Sequence, residues 1–137
     1  MGYSARFAAL QLKEKPVILG IESSCDETAA AIVRGRELLS NVVISSAAEQ
    51  AKYGGVVPEI ASRAHTDAIE RAVESAVREA GIRNADIDAV AVTYGAGLLG
   101  ALLVGLSFAK SFAWSLGVPL IAVNHIRGHM AAAYLAD

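Results

Sequence analysis

The sequence predicts an α/β domain built on a mixed β-sheet, and two observations support this. Three short apolar runs rich in β-branched residues open the domain, separated only by short polar turns. Two later apolar runs are separated from the first three, and from each other, by segments with helical character. Because tight turns join antiparallel strands and helices join parallel ones, this order predicts both kinds of pairing in one sheet.

Size and composition exclude several classes of protein. A chain of 137 residues with 54% hydrophobic and 19% charged residues can close a hydrophobic core, which excludes disorder and fibrous repeats. The net charge of −2 gives no global positive field for a nucleic acid or an anionic membrane. The single cysteine, Cys25, excludes an internal disulfide and predicts a reducing, cytoplasmic location. With no basic neighbour in sequence, its thiol is expected to be buried or unreactive.

The first part of the chain predicts a lead-in followed by an antiparallel meander. Residues 1–16 contain only a short apolar stretch, so no secretory signal is expected and the segment is interpreted as a flexible lead-in. Residues 17–137 are interpreted as the folded domain. Polar turn residues divide its beginning into three strands, which are predicted at residues 17–22, 28–33 and 38–44.

The second part predicts alternating helices and strands. Pro58 suits the first turn of a helix, and apolar residues recur at helical spacing from Ile69 until Gly81 ends the helix. His65 on this helix is expected to be an exposed polar side chain. A buried strand, an apolar helix, another buried strand and the start of a further helix follow at residues 88–94, 98–116, 118–123 and from 124 onward. Five strands with flanking helices in this order are typical of a ribonuclease H-like lobe.

The stretch from residue 89 to residue 136 is the one candidate for a membrane span, since it contains no Asp or Glu. A spanning helix needs about 20 consecutive apolar residues. This stretch is interrupted by several glycines, by Lys110 and by Pro119. A buried strand–helix–strand series is therefore the preferred interpretation, and no membrane partner is expected.

A glycine-rich loop is the first candidate for chemistry. Gly95, Gly97 and Gly100 follow a strand and open a helix, as in a dinucleotide-binding loop. Such a loop also needs an acidic residue about 20 positions later, and none lies between Asp88 and Asp137. Two interpretations stay open. Backbone N–H groups around Gly95 and Gly97 bind a phosphate or another ligand, or the glycines only let the strand and helix pack closely.

His125 and His129 form the second candidate. On a helix, residues four apart lie on one face, so both imidazoles can reach one metal ion. Two ligands complete neither a structural nor a catalytic site, and a surface or capping pair is the alternative. The zinc-protease motif needs Glu directly after the first histidine, and Ile126 stands there, which disfavours peptide hydrolysis.

The turn between the first two strands is the third candidate. Glu22, Asp26 and Glu27 crowd it together with Ser23 and Ser24. Three carboxylates repel one another unless a cation, a positive side chain or solvent separates them. The turn is therefore either simply solvated or placed under a phosphate, with a carboxylate holding an ion.

Four motifs in order resemble a single family over nearly all of residues 17–137. They are ILGIESSCDET at residues 18–28, YGGVVPEIASRAH at residues 53–65, VTYGAGLLGALLVG at residues 92–105 and VNHIRGH at residues 123–129. This set is similar to the universal tRNA threonylcarbamoyladenosine transferase subunit, formerly called O-sialoglycoprotein endopeptidase.

The resemblance implies a lobe of the actin, sugar kinase and heat-shock chaperone superfamily. It also implies transfer of threonylcarbamoyl from threonylcarbamoyl-adenylate to the adenosine 3′ of the anticodon, in tRNAs that read codons beginning with A. In this family His125 and His129 correspond to ligands of an iron or zinc ion. Asp26 and Glu27 correspond to acidic, catalytic positions near the cleft that holds the adenylate or an adenine nucleotide.

The resemblance further implies partner molecules and a second lobe. Family members act with tRNA and with accessory subunits, including a paralogous actin-like protein and an ATPase. They are more than twice as long, and their second lobe supplies an aspartate ligand and the other cleft wall. The 137-residue chain alone is therefore expected to be inactive and to self-associate through its apolar helix or the surface facing the absent lobe. Ala96 and Arg127 depart from the family's usual Pro and Glu.

Two alternatives to the transferase subunit are kept. The first is a non-catalytic partner lobe of the same complex, which would have no use for two histidines at metal spacing. The second is the metalloprotease suggested by the older family name, which lacks its general base.

Overall fold

The computed structural model describes residues 2–135 and confirms the mixed five-stranded sheet. The strands are β1 (Val17–Glu22), β2 (Glu27–Arg34), β3 (Glu37–Ser45), β4 (Ala89–Gly95) and β5 (Leu120–Asn124). The α-helices are α1 (Tyr3–Gln11), α2 (Ala47–Gln50), α3 (Pro58–Ala80), α4 (Leu99–Leu116) and α5 (His125–Ala132). Single 3₁₀ turns lie at Ala51–Tyr53, Asn84–Asp86 and Ala133–Leu135.

The strands lie in the order β3-β2-β1-β4-β5. The first three form the predicted antiparallel meander, whereas β1 pairs with β4, and β4 with β5, in parallel. Hairpin turns suffice for the meander, and helices α3 and α4 provide the connections that bring β4 and β5 back in the same direction as β1. As a result, β1, β4 and β5 all end at one edge of the sheet.

One face of the sheet carries the hydrophobic core. Along β1 buried and half-buried residues alternate, so that Leu19 and Ile21 point to the core while Ile18 and Gly20 face the opposite side. Helices α3 and α4 cover the core face with fully buried alanines, which allow the helix backbones to approach the strands closely. The core helices contribute Ala61, Ala72, Ala76, Ala101 and Ala109, each with at most 1% of its surface exposed.

Helix α3 begins and ends where the sequence predicts. Pro58 occupies the first helical turn, where its missing N–H removes no hydrogen bond. Gly81 adopts the left-handed conformation at φ 68°, and its N–H bonds the carbonyl of Arg78. Both signals depend only on neighbouring residues, so the sequence alone predicts the two ends of the helix.

The expectation of an exposed His65 is wrong, since only 1% of its surface is accessible. Its Nε2 lies 2.8 Å from the Cys25 carbonyl oxygen, and its Nδ1 lies 2.7 Å from the Thr28 hydroxyl. A carbonyl only accepts hydrogen bonds, so Nε2 carries the proton and the Thr28 hydroxyl donates to Nδ1. His65 therefore ties α3 to the turn after β1.

A helix that the sequence analysis did not predict, α1, lies within the lead-in. Its residues are mostly exposed, and the Tyr3 hydroxyl donates to the Leu120 carbonyl over 2.8 Å. Just beyond the helix, Lys13 pairs with Asp88 at 2.5 Å. Asp88 also accepts a hydrogen bond from the Val17 N–H. The flexibility of residues 1–16 stays a prediction.

Helix α4 is long and apolar enough to cross a membrane by length and composition, and no other helix in residues 2–135 is. Core helices of soluble proteins pass the same test. In the structure α4 packs against α3 and β4, and its side toward the sheet is lined by Ala101, Gly105 and Ala109. This packing agrees with the interpretation as one member of a strand–helix–strand series.

Replacing His65 by leucine tests the buried hydrogen bonds. We expect His65→Leu to lower the free energy of unfolding by about 2–3 kcal/mol, because the Cys25 carbonyl and the Thr28 hydroxyl lose their partner in a buried site. His65→Gln is the control, since its amide can still donate to the carbonyl, and we expect a smaller loss. Urea unfolding measures both variants. Equal stability of wild type and His65→Leu would contradict the assignment.

Candidate metal site and ligand cleft

The candidate site lies at the edge of the sheet where the parallel strands end. Glu22 is the last residue of β1, Thr93 lies near the end of β4, and His125 follows β5 directly. In α/β sheets this carboxyl edge is where ligands bind, because the loops and helix N-termini converge there. The topology therefore brings together side chains that are up to 103 residues apart in sequence.

The histidine pair lies on α5 as predicted. Asn124 caps the helix, its side-chain oxygen accepting hydrogen bonds from the N–H groups of Ile126 and Arg127 at 3.0 and 3.2 Å. The Nε2 atoms of His125 and His129 lie 2.9 Å apart. Both nitrogens can therefore approach one metal ion from the same side.

Glu22 belongs to the acidic turn that the sequence analysis named as its third candidate, but its contact with His125 was not predicted. Its Oε2 accepts a hydrogen bond from the Thr93 hydroxyl at 2.6 Å and lies 3.2 Å from His125 Nδ1. Its Oε1 accepts from the Ser24 N–H at 2.5 Å. Burial acts to raise the pKa of Glu22, but hydrogen bonds from Ser24, Thr93 and His125 outweigh it and hold the pKa below its usual value. The carboxylate is therefore charged at neutral pH.

The two imidazole nitrogens of His125 and His129 are suitable ligands for a transition-metal ion, but two ligands are too few to complete a site. Imidazole nitrogen suits zinc and iron. Within residues 2–135, no group of three or more His, Cys, Asp or Glu side chains could hold a metal ion. The pair therefore offers two of the ligands that such an ion needs.

Asp26 and Glu27, which the family resemblance favoured, belong to the segment that follows Glu22. Asp26 is half-buried and its carbonyl accepts hydrogen bonds from the N–H and the hydroxyl of Ser46, at 3.0 and 2.9 Å. Glu27 begins β2 and is exposed. Cys25 is exposed, not buried, and partial desolvation and the neighbouring Asp26 carboxylate raise the pKa of its thiol. Catalytic roles for Asp26 and Glu27 stay predictions.

The turn after β1, residues 23–26, is not simply solvated, because Ser23 and Ser24 are 1% and 5% exposed. The Ser23 hydroxyl donates to the Ala101 carbonyl at 2.8 Å and accepts from the Gly105 N–H at 3.1 Å. The Ser24 carbonyl accepts from the Leu98 N–H at 2.8 Å. Both serines therefore attach the turn to the beginning of α4.

The structure gives Gly97 a packing role. A Cβ at Gly97 would lie 2.6 Å from the Ser24 carbonyl oxygen, closer than real contacts allow, whereas a Cβ at Gly95 would meet nothing within 4 Å. The sequence left close packing and ligand binding open, and at Gly97 close packing is present. Phosphate or ligand binding at Gly95 and Gly97 stays a prediction.

A cleft of about 520 Å³ lies next to the site on the sheet face opposite the core. Glu22, His125 and His129 line one end of it. Its lining includes several small residues, among them Gly20, Ala31, Ala91, Gly128 and Ala132. These side chains leave room for a ligand or another segment of polypeptide to lie against the backbone of the sheet.

The topology and the position of the site define a lobe of the ribonuclease H-like and actin-like class. The structure is similar to YeaZ from Pseudomonas aeruginosa, with a TM-score of 0.60 at 20% identity, covering 80% of this chain and 44% of that one. The family model for tRNA N6-adenosine threonylcarbamoyltransferase matches residues 37–137. The chain belongs to this family, which confirms the resemblance.

Curated relatives agree with the family model. The transferase of Clostridium perfringens is 59% identical over 123 residues, which are 89% of this chain and 36% of that protein. The transferase of Bifidobacterium longum is 59% identical over 121 residues, or 88% of this chain and 35% of that protein. The chain thus spans about a third of the length of the curated relatives it matches.

The two loop glycines give a matched pair of variants. We expect Gly97→Ala to lower the free energy of unfolding by about 1–3 kcal/mol, because the added methyl group pushes the Ser24 backbone out of place. Gly95→Ala has open space and is expected to change stability much less. Urea unfolding of both variants measures the difference. An equal loss of stability in both variants would contradict the conclusion that Gly97 is required for close packing.

Proposed function

We propose that residues 17–137 are the N-terminal lobe of a tRNA N6-adenosine threonylcarbamoyltransferase, acting in the cytoplasm. The observation that carries this is the convergence of His125 and His129 at the carboxyl edge of the sheet, 2.9 Å apart, in a chain of this family. In the reaction, the exocyclic amine of the tRNA adenosine attacks the carbamoyl carbon of threonylcarbamoyl-adenylate. A C–N bond forms, the C–O bond to AMP breaks, and the amine loses a proton.

In this proposal the residues of the chain bind and orient. His125 and His129 would hold one side of an iron or zinc ion. When bound, such an ion supplies Lewis-acid polarisation of an oxygen atom of the donor. Glu22 and Thr93 keep the His125 ring in place. Asp26, Glu27 and the loop at Gly95 and Gly97 face the donor or an adenine nucleotide in the full protein.

The rest of the site is proposed to come from outside the chain. A second lobe would supply the third protein ligand, an aspartate in this family, and the opposite wall of the cleft. The pair of imidazoles alone leaves too few ligands for a catalytic centre, which needs about three. We therefore propose that the 137-residue chain does not transfer threonylcarbamoyl by itself.

A chimera tests this function directly. The first third of the Clostridium perfringens transferase, 59% identical to this chain, is replaced by residues 17–137. We expect the chimera to modify tRNA with threonylcarbamoyl-adenylate and its accessory proteins, and the isolated chain to be inactive. His125→Ala and His129→Ala in the chimera are each expected to lower the rate at least 100-fold.

The outcomes separate the two parts of the proposal. An active chimera that keeps its rate in both histidine variants would refute the role of the pair. A folded but inactive chimera, beside an active parent enzyme, would refute the assignment of residues 17–137 as the catalytic lobe. Transfer by the isolated chain would refute the need for a second lobe.

The partners are proposed to be tRNA and the accessory subunits of the modification system, an actin-like protein and an ATPase. An exposed apolar strip on α4 supports association with another protein. It consists of Leu99, Leu103 and Trp114, which are 74%, 50% and 86% exposed on one side of the helix, with exposed polar residues between Leu103 and Trp114. In the isolated chain we propose that this strip mediates self-association.

Self-association can be tested with a pair of charge variants. We expect the isolated chain to sediment as a concentration-dependent oligomer, and Leu103→Glu to shift it toward the monomer because a buried charge opposes contact. Leu12→Glu is the matched control, since Leu12 is 87% exposed and lies outside α4. A strictly monomeric wild-type chain, or an equal effect of both variants, would contradict the proposed strip.

The two alternative functions gain no support from the site. A non-catalytic partner lobe does not require the convergent histidines, and the family match is to the transferase. A protease of the zinc class would need a carboxylate where the exposed Ile126 lies.

A further inference from the structure

A metal-binding histidine must present the lone pair of one nitrogen in a fixed direction. Neutral imidazole has two tautomers, and in only one of them, with the proton on Nδ1, is the Nε2 lone pair free. The tautomer is set by the hydrogen bond that the other nitrogen makes. For the pair on α5, the surroundings of His125 Nδ1 therefore decide whether Nε2 is available.

The surroundings of this nitrogen favour the proton on Nδ1. Glu22 Oε2 lies 3.2 Å away and, as a carboxylate, can only accept hydrogen bonds. An unprotonated Nδ1 would place its lone pair against this oxygen. The Ser24 hydroxyl also lies 3.2 Å from Nδ1, and its oxygen can share the same proton. With Nδ1 protonated, His125 Nε2 accepts the hydrogen bond from His129 Nε2 across 2.9 Å.

The carboxylate is itself held by two rigid elements. The Thr93 hydroxyl on β4 donates to Oε2 at 2.6 Å, and the Ser24 N–H in the turn donates to Oε1 at 2.5 Å. Thr93 is 8% exposed and Ser24 5%, so these bonds form where water competes little. Three donors thus point at two oxygens, and Glu22 cannot rotate away from His125 without leaving a donor unpaired.

We propose that Glu22 is a positioning residue that fixes His125 in the Nδ1–H tautomer and aims its Nε2 lone pair at the point shared with His129. The inference rests on the metal role proposed for the two histidines. It assigns to Glu22, and not to Asp26 or Glu27, the carboxylate that supports the metal site from behind. Thr93 is the residue that keeps this carboxylate in register.

Two measurements on the 137-residue chain test the proposal. Nitrogen-15 NMR of the imidazole rings reads the tautomer of His125 without any metal. Competition with a chromophoric chelator gives the dissociation constant for Zn²⁺ alone. The variants are Glu22→Gln, which places an amide N–H against one of the three donors, and Glu22→Ala, which removes every acceptor. Glu37→Gln, an exposed carboxylate at the start of β3, is the matched control.

We expect wild type and Glu37→Gln to hold His125 as the Nδ1–H tautomer. Glu22→Ala is expected to shift it toward Nε2–H and to raise the Zn²⁺ dissociation constant about 10- to 100-fold, the usual effect of losing a carboxylate behind a histidine ligand. Glu22→Gln and Thr93→Val are expected to shift both readouts less. Far-UV circular dichroism identifies any variant that has lost its fold, and His125→Ala shows the level of binding without the pair.

The readouts distinguish failure of this inference from failure of the proposed function. An unchanged tautomer and a Zn²⁺ dissociation constant within twofold of wild type in folded Glu22→Ala would overturn the positioning role. A shifted tautomer in Glu22→Ala, with no Zn²⁺ binding by the wild-type chain, would support positioning and refute metal binding by the pair. If Glu37→Gln changed the tautomer and the Zn²⁺ dissociation constant as much as Glu22→Ala, the effect would come from net charge, and the positioning role of Glu22 would be overturned.

Discussion

The rest of the structure depends on how the turn of residues 23–26 satisfies its polar groups. A turn at the carboxyl edge of a parallel sheet is crowded by helices on its core side, so its N–H and C=O groups cannot all reach water. Here each of four consecutive residues is bonded to a different segment. The contacts are Ser23 with α4, Ser24 with the loop before α4, Cys25 with His65 on α3, and Asp26 with Ser46 before α2.

This arrangement explains why the candidate site is ordered although it lies on loops and strand ends. Glu22 immediately precedes the anchored turn, so its backbone is fixed on both sides. Thr93 lies on β4, which pairs in parallel with β1, and His125 follows β5, which pairs in parallel with β4. The side chains around the histidine pair therefore take their positions from sheet packing, which is stiffer than a surface loop.

Local signals predicted the elements, and distant contacts account for what was missed. Pro58 and Gly81 mark the ends of α3, and the spacing of His125 and His129 predicted a shared face. The burial of His65 and the contacts of Glu22 with Thr93 and His125 had no local signal, because these contacts join residues that lie 37 to 103 positions apart. The turn offered Glu22, Asp26 and Glu27 together, and the family resemblance singled out Asp26 and Glu27, whereas strand alternation followed to the end of β1 would have pointed to Glu22.

Two separate features of the lobe agree with the proposal that a second lobe completes it. The histidine pair offers two ligands where a catalytic metal needs about three. Parallel strands are normally covered on both faces, yet Gly20 on β1 and Ala91 on β4, which pair in parallel, line an open cleft. Both unfilled positions adjoin α5, so one added body can close the metal site and cover the sheet together. Relatives about two and a half times as long as this chain have the polypeptide to do so.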